Sequence, residues 1–124
     1  MVKYTNERMK RDLKKFLRLT KKNYNIKKAI LFGSRARGDY FLDSDVDIIL
    51  VSENFKNFKF TDRIANISEF WNSPVDLEPL CYTPEEFERK KKQIGIVRQA
   101  VKEGIEIWIF QSSLKYNHKI TRFI

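Results

Sequence analysis

Cysteine and histidine are nearly absent from this chain, each occurring once in 124 residues. A single thiol excludes an internal disulfide and suits a reducing compartment. Cys81 stands within VDLEPLCY, the setting of a buried thiol rather than of a nucleophile. His118 has no His, Cys or Asp pattern around it and reads as a surface histidine. No apolar run approaches the ~20 residues that span a membrane. The N-terminal VKYTNERMKRDLKK also lacks the apolar core of a signal peptide. The expectation is a soluble, cytoplasmic protein with no membrane partner. Internal repeats, low-complexity tracts and linkers are missing too. The length suits one domain over residues 1–124, with room for a real core but not for a second.

What is abundant is positive charge. Lys and Arg number 25 against 16 Asp and Glu, a formal net charge of +9. Such a balance favours anionic partners: a nucleotide, a nucleic acid or an acidic protein surface. A well-solvated Lys-rich surface accounts for it equally well.

The stretch Ile30 to Ser52, ILFGSRARGDYFLDSDVDIILVS, concentrates the chemistry. It reads as a buried strand, a Gly-Ser turn, a short basic loop or helical turn, and a second strand that opens with Asp45 and Asp47. Strand side chains alternate, so Asp45 and Asp47 share one face and Val46, Ile48 and Leu50 the other. Two carboxylates about 4 Å apart repel by roughly 4 kcal/mol at an effective dielectric near 20. A hard cation relieves that repulsion, and Mg²⁺ brings substrate phosphates as its remaining ligands. Gly33 lets the backbone approach a phosphate closely, and Ser34 offers it a hydroxyl and an N–H. Arg35 and Arg37 add charge that can grip phosphate oxygens. The unit suits a metal–polyphosphate complex.

Elsewhere, Met9, Leu13, Phe16 and Leu17 mark an amphipathic helix from about Asn6 to Lys22, with a basic outer face. Ile26 to Phe32 follows as the first strand. Asn54 to Lys59 reads as a loop whose Phe55 and Phe58 either pin it to the core or stack on bases. Phe60, Ile64, Ile67 and Trp71 predict a second helix, stopped near Pro74. Val75 to Tyr82 predicts a third strand, with Asp76 and Glu78 on one face. Glu78 precedes Pro79, which cannot donate to a sheet, so a supporting role at most is expected of it. Thr83, Pro84 and Glu86 form a capping box that starts another helix. Gly95 breaks that helix before Ile96 to Glu103, and Gly104 ends the second segment. Ile105 to Phe110 alternates as a last strand, pairing with the main sheet or with a partner. Gln111 to Ile124 reads as a short amphipathic tail.

Gly33-Ser34, ten residues, then Asp45-Val46-Asp47 resembles the signature of the DNA polymerase beta-type nucleotidyltransferase superfamily. The GSRARG wording and short chain resemble the minimal nucleotidyltransferases (MNT) found as antitoxins beside HEPN-domain toxins. The resemblance implies an α+β (α/β) fold, a small mixed sheet with helices packed mainly on one face. It implies ATP as substrate and two Mg²⁺ ions bridged by Asp45 and Asp47. Asp76, in its V-D-L setting, completes the triad and holds the catalytic ion. Gly33, Ser34, Arg35 and Arg37 then serve the nucleotide phosphates. For the antitoxin group it implies AMP transfer to a tyrosine of a HEPN RNase toxin. Two other readings stand beside it. One is a non-catalytic antitoxin that occludes its partner; the other is a nucleotidyltransferase acting on a nucleic-acid end. An oligomer is compatible with all three.

Overall fold

The computed structural model describes residues 4–38, 44–110 and 113–116. His118, the tail beyond Tyr116 and part of the loop between the Gly-Ser turn and Asp45 lie outside them. Helix α1 (Asn6–Asn23) leads into strand β1 (Ile26–Phe32), the short helix α2 (Ser34–Arg37) and strand β2 (Val46–Ser52). Helix α3 (Phe60–Ser68), strand β3 (Leu77–Tyr82), helix α4 (Pro84–Lys90), helix α5 (Ile96–Glu103) and strands β4 (Ile105–Phe110) and β5 (Ser113–Tyr116) complete the order.

The strands form one sheet in the order β3-β2-β1-β4-β5, mixed because β2 and β3 run parallel while the other pairs are antiparallel. β4 therefore pairs with the main sheet, on the side of β1 away from β2. Alternation then sorts the core into two layers. Ala29, Leu31, Val46, Ile48 and Leu50 pack on one face against Met9, Leu13, Phe16 and Leu17 of α1 and Ile67 of α3. Ile30, Phe32, Ile49 and Val51 point the other way, onto Phe87 of α4 and Val97 and Ala100 of α5. The mixed α+β architecture, one mixed sheet with its helices, agrees with expectation. The two longer helices lie together, while α4 and α5 close part of the second face. The near-continuous apolar run in β2 is what a strand buried on both faces requires.

Local signals were accurate where the chemistry is local. Thr83 and Glu86 make the reciprocal capping box, and Thr5 caps α1 by accepting from the Arg8 N–H. Trp71 is a core residue, edge-on to Phe16, its indole N–H donating to the Val75 carbonyl at 2.7 Å. Phe55 anchors a 3₁₀ turn (Glu53–Asn57) in the core, but Phe58 stays exposed. Cys81 is buried, and burial pushes its thiol up to about 12, well away from nucleophilic service. Gly104 is needed for space rather than for an unusual φ, because a Cβ there meets the Ala100 and Leu31 carbonyls and the Ile30 side chain.

Arg63 ties α3 to the end of β3. Its guanidinium donates to the carbonyls of Phe58 (2.9 Å) and Cys81 (3.1 Å) and to both carboxylate oxygens of Glu86 (2.6 and 3.3 Å). Burial pushes the Glu86 carboxyl up, but Arg63 and the Thr83 N–H outweigh it and hold the group below its ordinary value. A depressed carboxyl stabilises the fold above its unfolded-state value and loses that contribution as pH falls through the folded one. Arg63→Met leaves two carbonyls and a carboxylate unpaired. It should lower the melting temperature at pH 7 by roughly 10 °C, for a cost of about 2–3 kcal/mol. The deficit should shrink below about pH 4 as Glu86 protonates. Thermal melts of both proteins across pH check this, and a deficit independent of pH would contradict it.

Candidate active site

The C-terminal end of β1 and the beginning of β2 are register neighbours, Phe32 standing opposite Asp47. Directly after Phe32 the chain turns at Gly33, whose φ of 74° lies in the left-handed region that favours glycine. The Ala36 and Arg37 N–H groups donate back to the Gly33 carbonyl at 3.1 Å, closing the first turn of α2. A Cβ on Gly33 would run into the Asp47 carboxylate. The turn and the aspartate are thus in van der Waals contact, because the motif's two halves end adjacent strands.

On the other side of β2, Asp47 is level with Glu78 of β3. Burial first, then the neighbouring Glu78 carboxyl and the charge of Asp45, push Asp47 up to about 7, while Arg37 pulls it down. Asp76 immediately precedes β3, and its carbonyl accepts from the Val46 N–H at 2.9 Å. Asp47 thus stands beside Glu78, while Asp45 and Asp76 directly precede the two strands. Sequence reasoning expected Asp76 to be the carboxylate that joins the pair. The structure puts Glu78 level with Asp47, since β3 remains paired with β2 through Pro79. β3 is the edge strand, where a proline whose nitrogen faces the open side costs the sheet no donor.

Arg35 is used differently from expectation. It is buried, its Nη1 donating to the Tyr4 carbonyl at 2.8 Å and its Nε and Nη2 to the Ser44 carbonyl at 3.2 and 3.0 Å. The guanidinium also lies over the Tyr4 ring. The cause is geometric: position 35 is on the inner side of α2, where an apolar residue would leave two buried carbonyls without donors. Arg35 thus staples the N-terminus and the segment before Asp45 to the turn, whereas Arg37 is exposed at the turn's open side. Arg35→Ala should destabilise the fold by about 2 kcal/mol, the cost of orphaned buried carbonyls. Arg37→Ala should barely move the melting temperature. Paired thermal melts test the contrast, which equal losses would refute.

A cleft of about 220 Å³ adjoins Asp47, with Gly33, Phe32 and Arg37 on one side and α5 on the other. The α5 wall was not foreseen as part of a site. Ile96, Gln99, Ala100 and Glu103 follow i, i+3, i+4, i+7 spacing, which puts them on one helix face but does not say where that face points. Among the described residues, no three His, Cys, Asp or Glu side chains enclose a metal position. The donor set nevertheless fits magnesium, which is commonly held by one or two carboxylates plus substrate phosphates rather than by a protein cage. The raised Asp47 carboxyl marks where a cation's charge is wanted. Among the described residues no helix is long and apolar enough to cross a membrane.

Comparison with known proteins agrees with this geometry. The family model described as "Nucleotidyltransferase domain" matches residues 13–110. Two Methanocaldococcus jannaschii proteins are similar, each named "Putative protein adenylyltransferase". MJ0604 is 51% identical over 43 residues, 33% of this chain and 43% of that protein. MJ0141 is 28% identical over 82 residues, 64% of this chain and 77% of that protein. The fold resembles the "Crystal structure of a putative nucleotidyltransferase from Sulfolobus solfataricus" with a TM-score of 0.65 and 24% identity, covering 89% of this chain and 88% of that one. A Gly-Ser turn pressed against Asp47 on the neighbouring strand, in a chain matched over most of its length, leads to one conclusion: this protein belongs to the nucleotidyltransferase domain family.

Proposed function

We propose that the protein transfers AMP from ATP to a hydroxyl of a protein acceptor, and that Asp45 and Asp47 hold the Mg²⁺ ions the reaction needs. The observation that carries this reading is the contact of Gly33 with Asp47, which places a phosphate-sized turn against a carboxylate already starved of positive charge. Magnesium, when bound, supplies neutralisation of the triphosphate and acidifies the attacking hydroxyl. Ser34 and the turn's N–H groups hold the outer phosphates, and Arg37 offsets their charge. The acceptor oxygen forms a bond to the α-phosphorus, the bond to the β-phosphate oxygen breaks, and pyrophosphate leaves. The hydroxyl proton goes to a carboxylate at the beginning of β3. Asp76 and Glu78 are the two carboxylates placed there, Glu78 level with Asp47 and Asp76 just before the strand.

A tyrosine of a HEPN toxin is the proposed acceptor, by resemblance to the antitoxin group and in line with the names of the two relatives. The enzyme, ATP, Mg²⁺ and a HEPN protein encoded beside it should yield an acceptor heavier by the mass of AMP. The modified acceptor should stay inactive after the enzyme is removed. Asp76→Ala and Glu78→Ala should each slow the mass gain at least about 10-fold, and a variant at full rate removes that residue from the mechanism. An unmodified acceptor that regains activity on separation would mean occlusion instead. AMP found on added RNA ends would mean a nucleic-acid acceptor.

A further inference from the structure

The proposed chemistry uses Gly33, Arg37 and Asp47 and leaves the other wall of the cleft unexplained. That wall is the stripe Ile96, Gln99, Ala100 and Glu103 on α5, facing Phe32 across the space. Packing against the sheet accounts for Ala100, which is 2% exposed, but not for Ile96, which is 56% exposed. Ile96 instead continues the largely apolar lining that Phe32 and Ala100 give the cleft, a surface that a flat apolar ligand would cover. The wall also carries a carboxylate, Glu103, and a carboxylate disfavours contact with phosphates. A cleft of about 220 Å³ falls below the ~300–1,000 Å³ of sites that enclose a whole drug-sized ligand, so it holds part of a nucleotide rather than all of it. With the phosphates over the Gly33 turn, the part that remains is the nucleoside.

We infer that α5 is the nucleoside-reading wall of this enzyme: Phe32, Ile96 and Ala100 cover the faces of the base, and the Gln99 amide reads its edge as adenine. The inference rests on the proposed binding of the triphosphate at the Gly33 turn. Gln99 is suited to the task because one planar amide offers a donor and an acceptor side by side. Adenine presents the complementary acceptor and donor at N7 and N6. Uracil and guanine lack that adjacent pair in the same order on the corresponding edge, so they lose one bond and leave an amide group unpaired. Glu103, one helical turn beyond Gln99, stands ready to accept from a sugar hydroxyl.

The test is calorimetric binding of Mg-ATP, Mg-GTP, Mg-UTP and Mg-tripolyphosphate to the whole protein and to Gln99→Ala, Ile96→Ser and Asp47→Asn. Gln99 and Ile96 are exposed, so neither substitution threatens the fold. The wild type should bind ATP about 10-fold more tightly than UTP or GTP. Gln99→Ala should cut that preference to within about twofold, and Ile96→Ser should weaken every nucleotide about threefold or more. Neither should alter tripolyphosphate binding. A base preference unchanged in Gln99→Ala, with ATP binding still dependent on Asp47, overturns the inference and leaves the proposed function standing. ATP binding indifferent to Asp47 overturns both.

Discussion

Asp47→Asn should raise the melting temperature of the metal-free protein at pH 8 while reducing transfer at least about 100-fold, because one carboxylate is both the worst-placed charge in the fold and the best-placed ligand in the site. Its carboxyl is pushed up to about 7 by burial, by Glu78 and by Asp45. The sign of the linkage follows from that direction. Above pH 7 the folded protein carries an ionised Asp47 that it disfavours and the unfolded chain does not. Between pH 7 and the ordinary carboxylate range near 4, the folded state binds a proton that the unfolded state has lost, so stability increases as pH falls. Solvent still reaches the group, so about 2 kcal/mol is a fair figure, worth roughly 8 °C. The wild type should gain that much between pH 8 and pH 5, and Asp47→Asn should already have it at pH 8. Millimolar Mg²⁺ should stabilise the wild type at pH 8 and leave the variant unchanged. Thermal melts at both pH values with and without Mg²⁺ check each statement. A variant less stable than the wild type at pH 8 would mean that Asp47 makes a structural bond outweighing its repulsion.

Gly33→Ala should be the smallest substitution that disables the enzyme. Two costs coincide at this position. The φ of 74° is strained for any residue with a Cβ, and the added methyl group runs into the Asp47 carboxylate. Strain of the first kind costs about 1–2 kcal/mol. The collision is the functional part, because relieving it moves either the phosphate turn or the ligand. A melting temperature lower by roughly 5 °C and transfer lower by two orders of magnitude or more are expected. Gly38→Ala provides the control. It shares a positive φ, 87°, but a Cβ there meets nothing among the described residues, so it should cost stability alone. Equal activity losses at the two positions would show that backbone strain, not the contact with Asp47, is what disables Gly33→Ala.

These two residues also show where local pattern is informative. Period-two alternation was enough to say that Asp45 and Asp47 share a face, since strand geometry fixes side-chain direction whatever the surroundings. The capping box at Thr83 and Glu86 is equally local, settled by hydrogen bonds between residues three apart. The family signature added what alternation cannot, that a glycine 14 positions before Asp47 belongs to the same site.

The tertiary structure decided the rest, because it depends on which faces meet. Arg35 and Arg37 are two positions apart in one basic run, yet only the packing of α2 against Tyr4 and Ser44 determines that the first is buried on carbonyls while the second faces the cleft. Asp76 and Glu78 are equivalent by alternation, and Pro79 argued against Glu78. The parallel register of β3 on β2, which no local rule specifies, puts Glu78 level with Asp47. Helix α5 was visible as a helix from its spacing and its flanking glycines. That its Ile96 and Gln99 look onto Asp47 follows from the right amount of chain between β3 and β4 to bring α5 across the second face of the sheet, a property of the whole fold and of no segment in it.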